Sequence, residues 1–306
     1  MDAVCGKFDA DVSFHGPGIA YAVLLVGEET LGIINVMHIV VCAKRIPDPE
    51  VSAIIFRVDE ERRRRARVDG LQMVMSPYDE QCFEAAMRIQ DELGDDVRVT
   101  ALCLGDNDDD LKLFKRAFSW NVESGYYLSD PAFEGGDGFT TARALATAIK
   151  KLGDVDLILV GRQAADKDEG LVGYALAREL DIPLLPCAAA VRLEGRNAVV
   201  ERVLDDGSEC IEATLPAVVS VSNELGEPRR PSMRQVIQAG RKKPTVWDAA
   251  ALDIAPDSVG TSAARLVVEK LYVPENERIC EYVSGDDAET TAQQLVARLK
   301  ELRVVS

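Results

Sequence analysis

Apolar residues recur along this chain with two distinct periods. Short uninterrupted runs at Ile39–Ala43, Val97–Leu104 and Val155–Val160 read as buried strands. Between them lie segments with helical spacing. Pro77–Leu93 carries Cys82, Ala85, Ala86, Ile89 and Leu93 on one side, and Thr140–Leu152 turns Ala144, Leu145, Ala148, Ile149 and Leu152 inward. Leu111–Trp120 is a further helix and Tyr126–Leu128 a short strand. Ser76-Pro77-Tyr78-Asp79 predicts a helix entry, with Ser76 as cap, Pro77 in the first turn and Asp79 closing a capping box. Strands alternating with helices predict an α/β fold, a doubly wound parallel sheet covered on both faces.

The pattern changes beyond residue 189. Ala190–Leu193, Ala198–Leu204, Glu209–Ala213 and Ala217–Ser222 are strand-like, with hairpin signals at Glu194-Gly195-Arg196-Asn197 and Asp205-Asp206-Gly207. They predict an antiparallel extension of the core. A turn-rich loop, Asn223–Arg230, precedes a helix near Ser232–Ala239. The tail from Pro244 to Ser306 has one clear helix, Ala288–Leu302, and too little apolar content for its own core, so it is expected to be an arm that wraps another subunit. Residues 1–36, with Gly16-Pro17-Gly18 and no clear periodicity, differ from the rest of the chain. They are expected to be an extension from the gene model, with the biological start at Met37. The expected division is therefore 1–36, a nucleotide-binding core with its extension over 37–232, and a recognition helix with C-terminal arm over 233–306.

Charge and composition narrow the function classes. The 306 residues carry a net charge of −17, which disfavours nucleic acid as a partner. The basic run Arg62–Arg65 is flanked by acids and reads as a solvated edge. The seven cysteines contain no C-x-x-C pair, and Cys42 and Cys103 sit within apolar runs, as reduced thiols in a cytoplasmic protein would. With His15 and His38 as the two histidines, a histidine-based metal site or a Ser-His-Asp triad in the main body is not expected. No apolar run reaches membrane-spanning length, so the chain is not expected to be membrane-embedded.

Candidate chemistry concentrates in Val155–Leu180. The strand ends at Gly161, a polar loop runs over Arg162–Glu169, and Gly170 and Gly173 open a helix with Leu171, Val172, Leu176 and Leu180 on one side. That order points backbone N–H groups at an anion, usually a nucleotide phosphate. Asp166, Asp168 and Glu169 would repel a phosphate if they faced it, so they are expected to cap the helix or turn to solvent.

Several segments together resemble one family. Val41-Cys42-Ala43-Lys44-Arg45-Ile46-Pro47-Asp48 is similar to the opening V-x-x-K-R/Q-V-P-D of electron-transfer flavoprotein beta subunits, and Ser76-Pro77-Tyr78-Asp79-Glu80 to their N/S-P-x-D/E helix entry. Gly161 to Gly173 resembles their G-R/K-Q-A-x-D-x-D-x-x-Q-V-G loop. Leu215 to Ser220, Glu227-Pro228-Arg229, and Arg241-Lys242-Lys243-Pro244 with Trp247 match later blocks, all in order from Met37 onward.

The resemblance implies an electron carrier rather than an enzyme, paired with an alpha subunit that holds most of the redox FAD. Electrons would arrive from dehydrogenases of the acyl-CoA type and leave to a quinone oxidoreductase or a ferredoxin-linked acceptor. It further implies AMP in the beta core, or a second FAD in electron-bifurcating members; a stand-alone nucleotide-binding module is the remaining alternative. Carried over, the pocket comprises Cys42, then Ser76, Pro77, Tyr78 and Asp79, then Leu104. Its main cradle is Gly161, Arg162, Gln163, Ala164, Ala165, Asp166, Lys167, Asp168, Glu169, Gly170, Leu171 and Val172. The docking loop maps to Val221–Lys243, with Glu227, Pro228, Arg229 and an apolar anchor at Met233. The sequence departs from the pattern at Leu171, which replaces the loop glutamine, at Tyr174, which replaces a proline, and at Arg230, which replaces a tyrosine.

Overall fold

The computed structural model describes residues 25–26, 29–30, 36–50, 55, 57–61, 63–66, 68, 70–105, 110–273 and 280–305. Most of the expected 1–36 extension lies outside them. They divide into two compact units, one within Met1–Phe56 and Arg67–Val268, the other within Arg57–Ala66 and Glu269–Ser306. The recognition helix thus belongs with the core in this division, whereas the sequence places a boundary at residue 232.

The first unit is built on a nine-stranded sheet. In chain order its main elements are β1 (Met37–Cys42), α1 (Pro77–Leu93), β2 (Val97–Leu104), α2 (Leu111–Phe118), β3 (Ser124–Leu128), α3 (Gly138–Leu152), β4 (Leu157–Gly161), α4 (Val172–Leu180), β5 (Leu184–Glu194), β6 (Asn197–Leu204), β7 (Gly207–Thr214), β8 (Ala217–Val221), α5 (Met233–Ala239) and β9 (Thr245–Trp247). Across the sheet the order is β7-β6-β5-β8-β4-β1-β2-β3-β9. The strands from β8 through β9 run parallel, with Val41 opposite both Leu159 and Ala101. The β6 and β7 strands add antiparallel pairs at one edge.

Period-two alternation decides which helices cover which face. Ile39, Val41, Val99, Ala101, Leu157 and Leu159 pack with Cys82, Phe83 and Ala86 of α1 and Phe114 of α2. Their neighbours Val40, Ile158, Val160 and Val218 pack with Leu145 and Ile149 of α3 and Leu176 of α4. Both faces are therefore covered, as uninterrupted apolar strands require.

Local chemistry sets the element ends. Asp137 caps α3 by accepting from Phe139 and Thr140 N–H, while Thr140 closes a capping box. The capping role expected of Ser76 and Asp79 is not observed. Ser76 makes no side-chain cap bond, and Asp79 is drawn instead to the backbone just beyond β1. The β5 strand is longer than the expected Ala190–Leu193. Its start pairs in parallel with β8 through Leu184 and Leu185, and after a break at Cys187, whose φ is +56°, it turns to pair antiparallel with β6. Prolines 183 and 186 bracket that first stretch and mask it as loop.

In the second unit, α6 (Ala288–Glu301) is capped by Asp287, which accepts from Thr290 N–H at 2.7 Å, and Arg298 binds Glu281 through two nitrogens. No helix among the described residues is long and apolar enough to cross a membrane.

Candidate functional site

Winding direction locates the site. From β1 the chain steps outward through β2 to β3, then returns to place β4 on the other side of β1. Ligands of open α/β sheets bind at such a reversal, outside the carboxyl ends of the strands. Here that point lies at Cys42-Ala43-Lys44 and Gly161-Arg162, and a cavity opens there.

Asp79 spans the reversal. From the first turn of α1 it accepts the Lys44 N–H at 2.8 Å, beyond the end of β1, and lies against the backbone of Gly161, at the end of β4. Gly161 allows the approach, since a Cβ there would lie 2.5 Å from Asp79 Oδ1 and 2.9 Å from Tyr78 Cβ. Burial pushes the Asp79 carboxyl up to about 7, although the Lys44 N–H and the Lys44 cation favour its charge. Burial, with Asp79 nearby, also raises the Cys42 thiol, which stays protonated.

The loop after β4 forms one wall. Arg162 donates through its backbone to Val221 C=O at 2.9 Å and through its guanidinium to Ser222 Oγ at 3.3 Å. Ala164 C=O accepts from Lys167 and Asp168 N–H, which folds the loop into a turn. The Asp166 carboxylate pairs with Lys44 Nζ at 2.8 Å, and Asp168 accepts from Gln163 Nε2 at 3.0 Å. Both aspartates are exposed as residues, but the Asp166 carboxylate is turned to Lys44 rather than to open solvent. Neither caps α4; a local cation and a local amide hold them instead.

Two helix N-termini reach the cavity with opposite character. That of α3 is occupied by Asp137, whose second oxygen accepts from Arg265 and Leu266 N–H. Burial alone would raise this carboxyl, but its N–H donors outweigh that cost and keep it below its ordinary value. The N-terminus of α4 has Leu171 at the cap position with no side-chain bond, so its first N–H groups are uncapped at the cavity. Gly173 lets α4 lie close on β4, because a Cβ there would come within 2.9 Å of Val160 Cγ2.

Of the residues singled out from sequence, Cys42, Asp79, Leu104, Gly161, Arg162, Gln163, Ala164, Lys167, Glu169, Gly170, Leu171 and Val172 line this cavity. Ser76, Pro77, Tyr78, Ala165, Asp166 and Asp168 do not line it. Tyr78 and Asp168 act through Gln163, which donates to both. Ser76 Oγ is fully buried and lacks a hydrogen-bond partner among the described residues. Sequence reasoning missed Ala43, Lys44, Val160, Thr141, Leu145 and the opposite wall at Gly136-Asp137-Gly138. The signal for that wall is Asp137 set among glycines just before a helix.

The segment expected to dock a donor is elsewhere on the first unit. Arg229 is an anchor, its guanidinium bound to Glu84 and Asp91 and its carbonyl accepting from Trp120 Nε1 at 2.8 Å. Glu227 is exposed and Pro228 half-buried. Met233 is 75% exposed at the start of α5, beside exposed Val236 and Ile237.

Comparison with known proteins agrees with this architecture. The family model described as the electron transfer flavoprotein domain matches residues 68–252. The chain is 33% identical over 270 residues to the electron transfer flavoprotein subunit beta of Thermoanaerobacterium thermosaccharolyticum, covering 88% of this chain and 100% of the relative. It is 30% identical over 269 residues to the caffeyl-CoA reductase-Etf complex subunit CarD of Acetobacterium woodii, with the same coverage. Protein FixA of Azorhizobium caulinodans is 31% identical over 248 residues, covering 78% of this chain and 85% of the relative. The chain belongs to the electron transfer flavoprotein family and is an electron-transfer protein of the beta-subunit type.

Proposed function

We propose that the crevice at the β1/β4 reversal binds an adenine nucleotide, either AMP or a second FAD. The observation that carries this reading is the uncapped α4 N-terminus at the cavity, beside Gly170 and Gly161, while the neighbouring α3 N-terminus is filled by Asp137. Backbone N–H groups from Gly170 to Gly173 would hold the phosphate end. The glycine-lined wall fits a ligand that approaches the backbone closely. A bound flavin would supply the redox chemistry; this chain's residues bind and orient the nucleotide.

On this reading the chain is a carrier rather than an enzyme, pairing in the cytoplasm with an alpha subunit that holds the redox FAD. Its donor is a flavin dehydrogenase and its acceptor a quinone oxidoreductase or a ferredoxin-linked protein. Relatives named for caffeyl-CoA and acryloyl-CoA reductase complexes support a link to CoA thioesters. The α5 surface, with Met233 foremost, is where the donor docks.

Co-expression with an alpha-type subunit, followed by release and counting of bound nucleotides, tests the proposal. One FAD and one AMP per heterodimer supports the simple carrier, and two FAD with no AMP supports a flavin in the beta crevice. A complex that releases no nucleotide from this chain overturns the crevice assignment.

A further inference from the structure

The wall formed by residues 164–170 is tied down unevenly. Its leading edge is fixed to the sheet by Arg162 N–H on Val221 C=O and by Gln163 Nε2 on the Tyr78 hydroxyl at 3.3 Å. Beyond Gln163, the turn at Ala164 C=O, the Gln163–Asp168 bond and the Lys167–Glu169 pair at 3.9 Å are all internal to the loop. Among the described residues, the ion pair that joins this segment to the rest of the unit is Lys44 Nζ to both oxygens of Asp166, at 2.8 Å each. The Asp166 side chain is 17% exposed and that of Lys44 42%, so the contact is partly shielded from solvent. Two left-handed positions lie close together beyond it, Asp168 at φ +52° and Gly170 at φ +61°, where the chain turns sharply into α4.

We infer that the Lys44–Asp166 ion pair is a latch, holding segment 164–170 against the end of β1 and setting how fast a bound nucleotide leaves the crevice. The inference rests on the nucleotide-binding reading of that crevice. It assigns to Lys44 and Asp166 a positioning role: neither needs to touch the ligand, and breaking the pair from either side has the same consequence.

The test measures nucleotide release from the full chain, using AMP carrying an N-methylanthraniloyl fluorophore and, separately, FAD, each displaced by an excess of unlabelled nucleotide. Lys44→Met and Asp166→Asn are each expected to raise the release rate roughly two- to fivefold, the range open to a partly shielded pair. The double variant is expected to be no faster than either single one, because both remove one shared contact. Raising salt from about 0.05 to about 0.5 M should speed release from the wild type and leave the single variants nearly unchanged. The charge swap K44D/D166K should recover part of the slow release, which shows that lost retention is not lost folding. If Lys44→Met releases quickly while Asp166→Asn behaves as wild type, Lys44 grips the nucleotide directly and the latch is overturned. Unchanged release in both singles overturns the latch and leaves the nucleotide site standing. Failure of the wild type to bind either probe overturns the nucleotide reading itself.

Discussion

A carboxylate enclosed between two strand ends is costly to ionise, and Asp79 is such a group. It is 6% exposed, and its pKa rises from the ordinary 3.8 to about 7. The folded state therefore binds this proton more tightly than the unfolded chain does. Stability from this group is full below pH 4 and is lost as pH rises toward 7, a change on the order of 4 kcal/mol. His38 works in the opposite direction. Its ring is buried, with Nε2 at 2.9 Å from Thr100 Oγ1 and Nδ1 facing Arg98, and burial first and then Arg98 lower it to about 4. Its contribution is present above pH 6.5 and lost as pH falls toward 4. Total stability thus mixes two opposed titrations, and Asp79→Asn separates them, since His38 is common to both proteins. Urea unfolding across pH 4 to 8 should show wild type losing ground steadily to Asp79→Asn as pH rises. A difference between the two that does not change with pH would mean that Asp79 is charged and well solvated when folded.

At the scale of elements, the two helix ends at the crevice differ, α3 capped by a carboxylate and α4 without a side-chain cap. Asp137 satisfies N–H groups of α3 and also those of Arg265 and Leu266, so one carboxylate both caps a helix and fastens a distant segment. Asp137→Ala should cost about 2 kcal/mol, at the upper end for a helix cap because two further donors lose their partner. Thermal unfolding would register the loss. The lowered pKa means that the wild-type advantage is present above pH 3.8 and fades as acid protonates the group. If Asp137→Ala melts with wild type at neutral pH, the cap carries no stability. Legibility in the sequence divides along the same line. The strands β1 and β2 were legible because six to eight largely apolar residues in succession leave little alternative, and the loop from Gly161 to Val172 because its glycines and acids lie between a strand and a helix. The wall at Gly136-Asp137-Gly138 was not, because glycine and backbone carry it and such residues also mark ordinary turns. The three-residue β9 and the first stretch of β5 escaped because each is too short for a period to emerge. Asp79 was misassigned as a cap because its actual partner, the Lys44 N–H, lies 35 residues away in sequence.

Over the whole molecule, charge is distributed in a way that bears on partner encounter. The chain carries −17 overall, yet from Pro228 to Trp247 it contains six basic residues and no acid. Arg229 is committed to Glu84 and Asp91, and Lys242 donates to the Val122 carbonyl at 2.8 Å, so these two hold the segment in place. Arg230, Arg234, Arg241 and Lys243 are exposed in the same segment as the exposed apolar Met233, Val236 and Ile237. A basic, acid-free segment on a negative molecule favours one orientation of approach to an acidic partner surface, and such steering acts mainly on the association rate. The apolar residues, once seated, act mainly on dissociation. On the proposed pairing with an alpha subunit and a flavin dehydrogenase donor, the two contributions separate in stopped-flow reduction of that complex by the reduced dehydrogenase. The R234E/R241E variant should lower the second-order rate about tenfold at low salt, with the deficit shrinking as screening grows near 0.5 M. Met233→Ala should weaken docking at both salt concentrations, because burial of a thioether is not screened. Wild-type rates in the charge-reversed variant at low salt would place the donor on another face of the molecule, and with it the route by which electrons enter.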